Sequence, residues 1–287
     1  MNEYLIYIAT IFSINVILAS SLNIINGYCG LFSLGHAGFY AVGAYSSAAA
    51  SLYAFPGLVE SHPALALIAA CVVGMAASSL LGLVVGIPCL RLTGDYLAIA
   101  TIGFSEIVRI LILNMDSVGA SRGLPGIPKL TTLLEAAIGA IITLWILRNL
   151  IKSSFGRAII SIREDEIAAR SMGIDVRFYK TFAFVTGSLF AGLAGALFAH
   201  NQQFLHPNNF SFMVTVTVLL MIVIGGIGSQ VGAVLGALIV TVLPEALRFS
   251  ETLSSIRMLV FGLVMIVVML WQPTGLMGLL RKRESSR

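Results

Sequence analysis

The chain has 287 residues, 58% of them hydrophobic and 10% charged, with a net charge of +4 and a mean hydropathy of +0.97. A soluble domain carries roughly a quarter charged residues, so this composition excludes a water-soluble globular fold and describes a polytopic membrane protein. The modest positive charge reflects where Lys and Arg sit on a membrane and implies no nucleic-acid partner.

The apolar runs are long and continuous, with no alternation, so the spans are helices and not barrel strands. Taken along the chain, candidate spans cover roughly 4–25, 31–54, 64–87, 95–114, 130–151, 178–200, 209–227, 231–249 and 256–271. The predicted architecture is therefore an all-α bundle of about 8–10 transmembrane helices, read as a single domain over 1–287, with Pro or Gly in most of the short connections. The first run, from Tyr4 to Ile25, follows an N-terminus without a basic start; it is long enough to span, and no cleavable signal peptide is expected. Cys29, Cys71 and Cys89 show no metal-like spacing and read as small apolar packers without a disulfide.

The second run opens on Ser33-Leu34-Gly35-His36-Ala37-Gly38. Glycines on both sides of His36 point to broken or closely approached backbone at membrane depth, which is tolerated only inside protein or along a cavity. Two readings stand: Ser33 and His36 lie at a helix end that holds a charged group of a substrate, or His36 is a buried bridge between helices. No second His or Cys lies at metal spacing, so no metal is predicted. Asp95 opens the fourth span after Thr93-Gly94 and reads as a cap or first-turn acid, with a role at a gate as the alternative. Glu106 and Arg109 lie three apart within that span and share a helix face. Either charge alone at the bilayer centre costs roughly 2.5–3.5 kcal/mol; as a pair they are a structural ion bridge or part of a pathway. The segment 115–129 is an external loop, either plain or a docking surface. Trp145 and Trp271 fall near span ends, as interfacial anchors do.

Seven of the seventeen basic residues lie between Arg148 and Lys180, and four more close the chain at Arg281, Lys282, Arg283 and Arg287. Both regions are expected to be cytoplasmic, with an even number of spans between them. Counting back five spans places the N-terminus outside. Within the first basic region, "GRAIISIREDEIAARSMGID" (156–175) has seven charged residues in twenty. Residues 164–173 carry the marks of a short helix. Acids Glu164, Asp165 and Glu166 stand at its start, Arg170 in its last turn, and Gly173 at the left-handed C-terminal position. Ile167, Ala168, Ala169 and Met172 between them form a surface that a partner could cover, and so short a helix is marginal alone. Small residues recur every four positions at Gly187, Ala191, Gly195 and Ala199, and at Gly228, Gly232 and Gly236, as in close helix packing in lipid.

Four stretches carry a family resemblance: "GYCGLFSLGHAGFYAVGAY" (27–45), "LRLTGDYLAIATIGFSEIVRILILN" (90–114), "GRAIISIREDEIAARSMGID" (156–175), and "AGLAGALFAH" with "LLMIVIGGIGSQVGAVLGA" (191–237). Together they resemble the LivM-type permeases of branched-chain amino-acid ABC importers, in order and over nearly the whole chain. Leu31 departs from the resemblance, at a position where a polar residue is expected. The resemblance implies a bacterial inner-membrane permease that pairs with a second, homologous permease subunit. It also implies two ATP-binding subunits on the cytoplasmic side, which carry the ATP and Mg, and a periplasmic binding protein that delivers substrate. It makes 152–177 the cytoplasmic coupling loop and Glu164, Asp165, Glu166, Ala168, Ala169 and Gly173 its ATPase-coupling positions. Ser33, His36, Asp95, Glu106 and Arg109 are the pathway or gate candidates. The chain has no phosphate loop of its own, so no enzymatic activity and no cofactor are expected in it. Urea or short amides are the alternative cargo. A gradient-driven secondary transporter is the alternative class, although Glu106 is the one clear deep acid and no repeat of the two halves is evident.

Overall fold

The long apolar runs fold into helices because a backbone in lipid must satisfy its own hydrogen bonds. A computed structural model of the chain describes residues 2–92, 94–246 and 262. In chain order the helices are α1 (Asn2–Leu22), α2 (His36–Ala49), α3 (Pro56–Ser61), α4 (Pro63–Cys89), α5 (Asp95–Asn114), α6 (Leu133–Lys152), α7 (Ser154–Glu164), α8 (Glu166–Ser171), α9 (Val176–Gln202), α10 (Phe212–Gly225) and α11 (Gln230–Ala246). Wider π turns extend α1 to Tyr28 and α2 to Ala54. Among the described residues there is no strand, only an isolated bridge between Leu124 and Leu205. Among the described residues, six helices are long and apolar enough to cross a bilayer. The eight predicted spans up to residue 249 correspond to these six, to α2 and to the shorter α11. The span at 256–271, Trp271 and the basic C-terminus lie outside the described residues.

The centre of the bundle is made of α9, α2 and α4, held together by small residues. A Cβ on Gly43 of α2 would sit 2.4 Å from the Gly192 Cα of α9, and one on Gly192 would sit 2.6 Å from the Gly74 carbonyl of α4. Ser78 of α4 donates to the Phe39 carbonyl at 2.8 Å. Lipid is as apolar as the side chains, so association here rests on close van der Waals contact and interhelical hydrogen bonds. The Gly187 ladder is a packing seam: Gly187 lies against Ile25 and Gly195 against the Tyr40 carbonyl. In the second ladder Gly232 and Gly236 pack α11 antiparallel onto α10, against Gly225 and Met221. Gly228 departs from that expectation, because it stands in the turn between the two helices with φ +78°.

The connections sort onto two opposite ends. At one end Tyr7 near the start of α1 accepts from Gln202 at the end of α9 (2.8 Å), and Leu124 pairs with Leu205. At the other end the broken finish of α1, the 226–229 turn and the charged 152–175 segment come together. The start of α1 thus lies on the opposite side from the charged segment, as the span count anticipates. Segment 115–129 is pinned by buried Val118, Leu124 and Ile127. Trp145 is not at a span end: it lies seven residues before the last residue of α6, on that helix's exposed face. It is placed there because α6 continues to Lys152, beyond the apolar stretch.

Candidate functional site

The charged segment is two helices, α7 and α8, in line with the separate helical turn expected over 157–163. Ser153 caps α7, its hydroxyl accepting from the Gly156 amide at 3.4 Å, and α7 then buries Ala158, Ile159 and Ile162. The predicted short helix 164–173 begins two residues later than expected. Glu164 closes α7 and pairs with the neighbouring Arg163. Asp165 adopts extended backbone and caps α8, its Oδ1 accepting from the amides of Ile167 (2.9 Å) and Ala168 (3.0 Å). An aspartate placed directly before the helix can satisfy its first free amides, whereas a glutamate one position earlier cannot. Gly173 ends the unit with φ +82°, the left-handed conformation that glycine adopts without steric cost.

The two alanines of α8 face opposite ways. Ala169 is buried with Ile162 and Val176, whereas Ala168 is exposed. Ile167 and Met172 are 80% and 82% exposed, large apolar side chains held out in front of α8. Glu166 points inward, where its carboxylate accepts from Lys180 of α9 at 2.6 Å and pairs with Arg170 at 3.3 Å. Phe155 of α7 packs on Tyr179 and Phe182 of α9, ring centroids 5.6 and 5.3 Å apart. The segment is thus braced on α9 from two sides.

Arg163 links the segment to the bundle. Its Nη1 donates to the Gly27 carbonyl at 2.9 Å, in the π turn that ends α1. Asn23 of that turn is fully buried. It accepts from the Gly228 amide at 2.9 Å and donates to the Ser229 carbonyl at 3.0 Å. Arg163, the α1 break and the α10–α11 turn therefore meet at one point. The sequence signals were present in the charged run and in an asparagine inside an apolar span, but nothing in either position announces its partner.

The five pathway candidates do not form one cluster. Ser33 and His36 sit at the non-helical stretch 29–35 that precedes α2. His36 Nε2 is 2.8 Å from the Ser21 hydroxyl of α1, so it bridges helices, while its Nδ1 and the Ser33 hydroxyl are buried with no partner among the described residues. The start of α2 is held by hydroxyls from two further helices. The Leu34 amide donates to Thr101 of α5 at 3.0 Å and the Ala37 amide to Thr215 of α10 at 3.1 Å. Gly35 and Gly38 permit this approach, since a Cβ on either would meet the α5 backbone at 2.6 and 3.1 Å. Leu31 is buried in the core and does not line an open surface. Asp95 is the exposed first residue of α5, behind Gly94 as cap. Glu106 accepts from Arg109 Nε at 2.8 Å, and Arg109 also reaches Asn208 at 3.3 Å. Eleven residues of α5 separate Asp95 from Glu106, ~16 Å along the axis.

The sequence model described as "Branched-chain amino acid transport system / permease component" matches residues 4–269. The chain belongs to this permease family. It is 37% identical to the high-affinity branched-chain amino acid transport system permease protein LivM of Escherichia coli, over 96% of this chain and 70% of that one. LivM of Salmonella typhimurium is 36% identical over the same shares. The permease protein LivH of Salmonella typhimurium is 33% identical over 44% of this chain and 40% of its own. No solved structure matches the chain. The chain is therefore a multi-pass membrane permease.

Proposed function

We propose that the chain is the LivM-like permease subunit of an ATP-driven importer of branched-chain amino acids in a bacterial inner membrane. The observation that carries this reading is α8. It holds Ile167 and Met172 out into solvent on a braced platform, and a large exposed apolar pair outside the bundle marks a protein contact. The partner of matching role is an ATP-binding subunit on the cytoplasmic side, because the chain has no phosphate loop. ATP and Mg belong to two such subunits, and a periplasmic binding protein presents the substrate to the opposite end.

A second, LivH-like permease completes the pathway. One organism has two permeases similar to this chain, and the likeness to LivM runs over far more of it. The α5 surface supports this pairing. Outward faces of α4 (Leu65, Ile68, Val72) and α6 (Leu134, Ile138, Ile141) are aliphatic, as lipid demands. The exposed face of α5 is also aliphatic at Ile99, Ile107 and Leu111, but beside it stand the partly exposed charges Glu106 and Arg109, with open space at Gly103. Charge on a lipid-facing surface is costly, so this face lies on the pathway, opposite the second permease. Asp95 is a first-turn acid on the coupling side of the same helix.

The deciding experiment purifies the tagged chain in mild detergent, identifies what stays bound, and measures uptake of labelled leucine and urea after reconstitution. Retention of an ATP-binding subunit and a second permease, with leucine uptake on ATP, is expected. A lone chain that transports on an ion gradient would replace the proposal with a secondary transporter.

A further inference from the structure

Arg163 stands one residue before the coupling positions, and nothing in the family resemblance singles it out. Its guanidinium holds Glu164 through Nε at 3.0 Å and the Gly27 carbonyl through Nη1 at 2.9 Å. A Cβ on Gly228 would lie 2.8 Å from that same Nη1, and one on Gly30 would lie 2.8 Å from Arg163 Cγ. Gly27 and Gly228 are themselves in contact, since a Cβ on Gly27 would sit 2.6 Å from the Gly228 amide nitrogen. One side chain of the cytoplasmic segment is thus wedged into the crossing of two interrupted membrane elements. Asn23 ties those elements to each other with two hydrogen bonds.

From this geometry, and resting on the importer reading above, we infer that Arg163 is the positioning residue through which the coupling segment moves the α1 break and the α10–α11 turn. The other attachments of the segment, Glu166 to Lys180 and Phe155 to Phe182, run to α9, which packs tightly within the bundle core. Arg163 alone among these attachments reaches backbone that is not held in a regular α-helix. Such backbone is free to change its hydrogen bonds when the segment tilts, whereas a packed helix moves as a body. Planar guanidinium geometry lets one residue grip a carboxylate and a carbonyl together, which a lysine cannot reproduce in full.

The test uses the complex of this chain with its ATP-binding subunits and second permease. Ile227, exposed in the turn, is replaced by cysteine in a background without Cys29, Cys71 and Cys89, and thiol labelling is compared with and without ATP. Alongside it, leucine transported per ATP hydrolysed is measured in proteoliposomes. We expect nucleotide-dependent labelling in the parent. Arg163→Ala should abolish that dependence and lower the transport-to-hydrolysis ratio about tenfold, the effect of losing a charge-assisted hydrogen bond, while the ATP-binding subunits stay bound. Arg163→Lys should recover part of both and carries the test if the alanine variant fails to accumulate. Nucleotide-dependent labelling that survives in Arg163→Ala, or that is absent from the parent complex, overturns the inference. So does a loss of transport that only tracks loss of bound ATP-binding subunit, which is a structural effect. If the unaltered chain retains no ATP-binding subunit, the importer reading itself has failed, a result separate from all of these.

Discussion

Lys180 Nζ donates to Glu166 Oε2 at 2.6 Å, fastening the first residue of α8 to a buried position on α9. The lysine side chain is only 11% exposed, against 39% for the glutamate. Glu166 was expected among the ATPase-coupling positions, and its carboxylate is engaged within its own chain. That carboxylate ties α8 to α9.

Glu166→Gln should leave Lys180 without a counter-charge and loosen α8 by about 1–2 kcal/mol, allowing for solvent screening at the partly exposed glutamate. Hydrogen exchange over residues 165–175 should rise. Adding Lys180→Met removes the charge that needs a partner and should return exchange toward the parent level. Unchanged exchange in the single variant would show that the pair does not hold α8.

Ile167 and Met172 make no demand on folding, because both stand in solvent. Ile167→Asp and Met172→Asp should leave the detergent-solubilised bundle as stable as the parent. Each should weaken retention of the ATP-binding subunit about tenfold or more, as loss of a buried apolar anchor does. Retention equal to the parent in the double variant would place the ATPase contact elsewhere.

Two glycines distinguish packing from open surface. Gly43→Ala forces a methyl to within 2.4 Å of the Gly192 Cα, whereas Gly103→Ala meets nothing within 4 Å. Overpacking costs about 1–3 kcal/mol, so thermal unfolding in detergent should fall for Gly43→Ala and stay put for Gly103→Ala in the isolated chain. Equal melting of the two would contradict the α2–α9 crossing described above.

If the α5 face lines the pathway, Gly103→Cys should react with a membrane-impermeant thiol reagent in the assembled complex. Ile138→Cys, on the aliphatic face of α6, should not. The reverse pattern would put α5 against lipid and move the pathway to another face.

Much of this organisation is legible in the sequence. Long apolar runs fold as helices because lipid leaves the backbone no other partner, and charge cannot stay in hydrocarbon, so the 156–175 run had to lie outside. Gly173 marked a helix end, and the glycines around His36 marked a close approach. The boundary at Asp165 was harder to place, since three successive acids all suit a helix start and only the cap geometry chooses among them. The Thr132–Glu135 capping box of α6 carried a readable signature in Thr-x-x-Glu.

What the sequence alone determined was the long apolar helices and which charged segments leave the membrane, because these follow from local hydrogen bonding and from transfer of charge out of lipid. Only the tertiary structure decided which breaks meet. Asn23 and Gly228 are 205 residues apart, and Arg163 is 136 residues from Gly27. In a soluble helix the apolar stripe points to the core and narrows such choices. Here lipid-facing and core-facing surfaces are both apolar, so helix pairing is settled by small-residue contacts and single buried hydrogen bonds, which come into being only once the bundle is assembled.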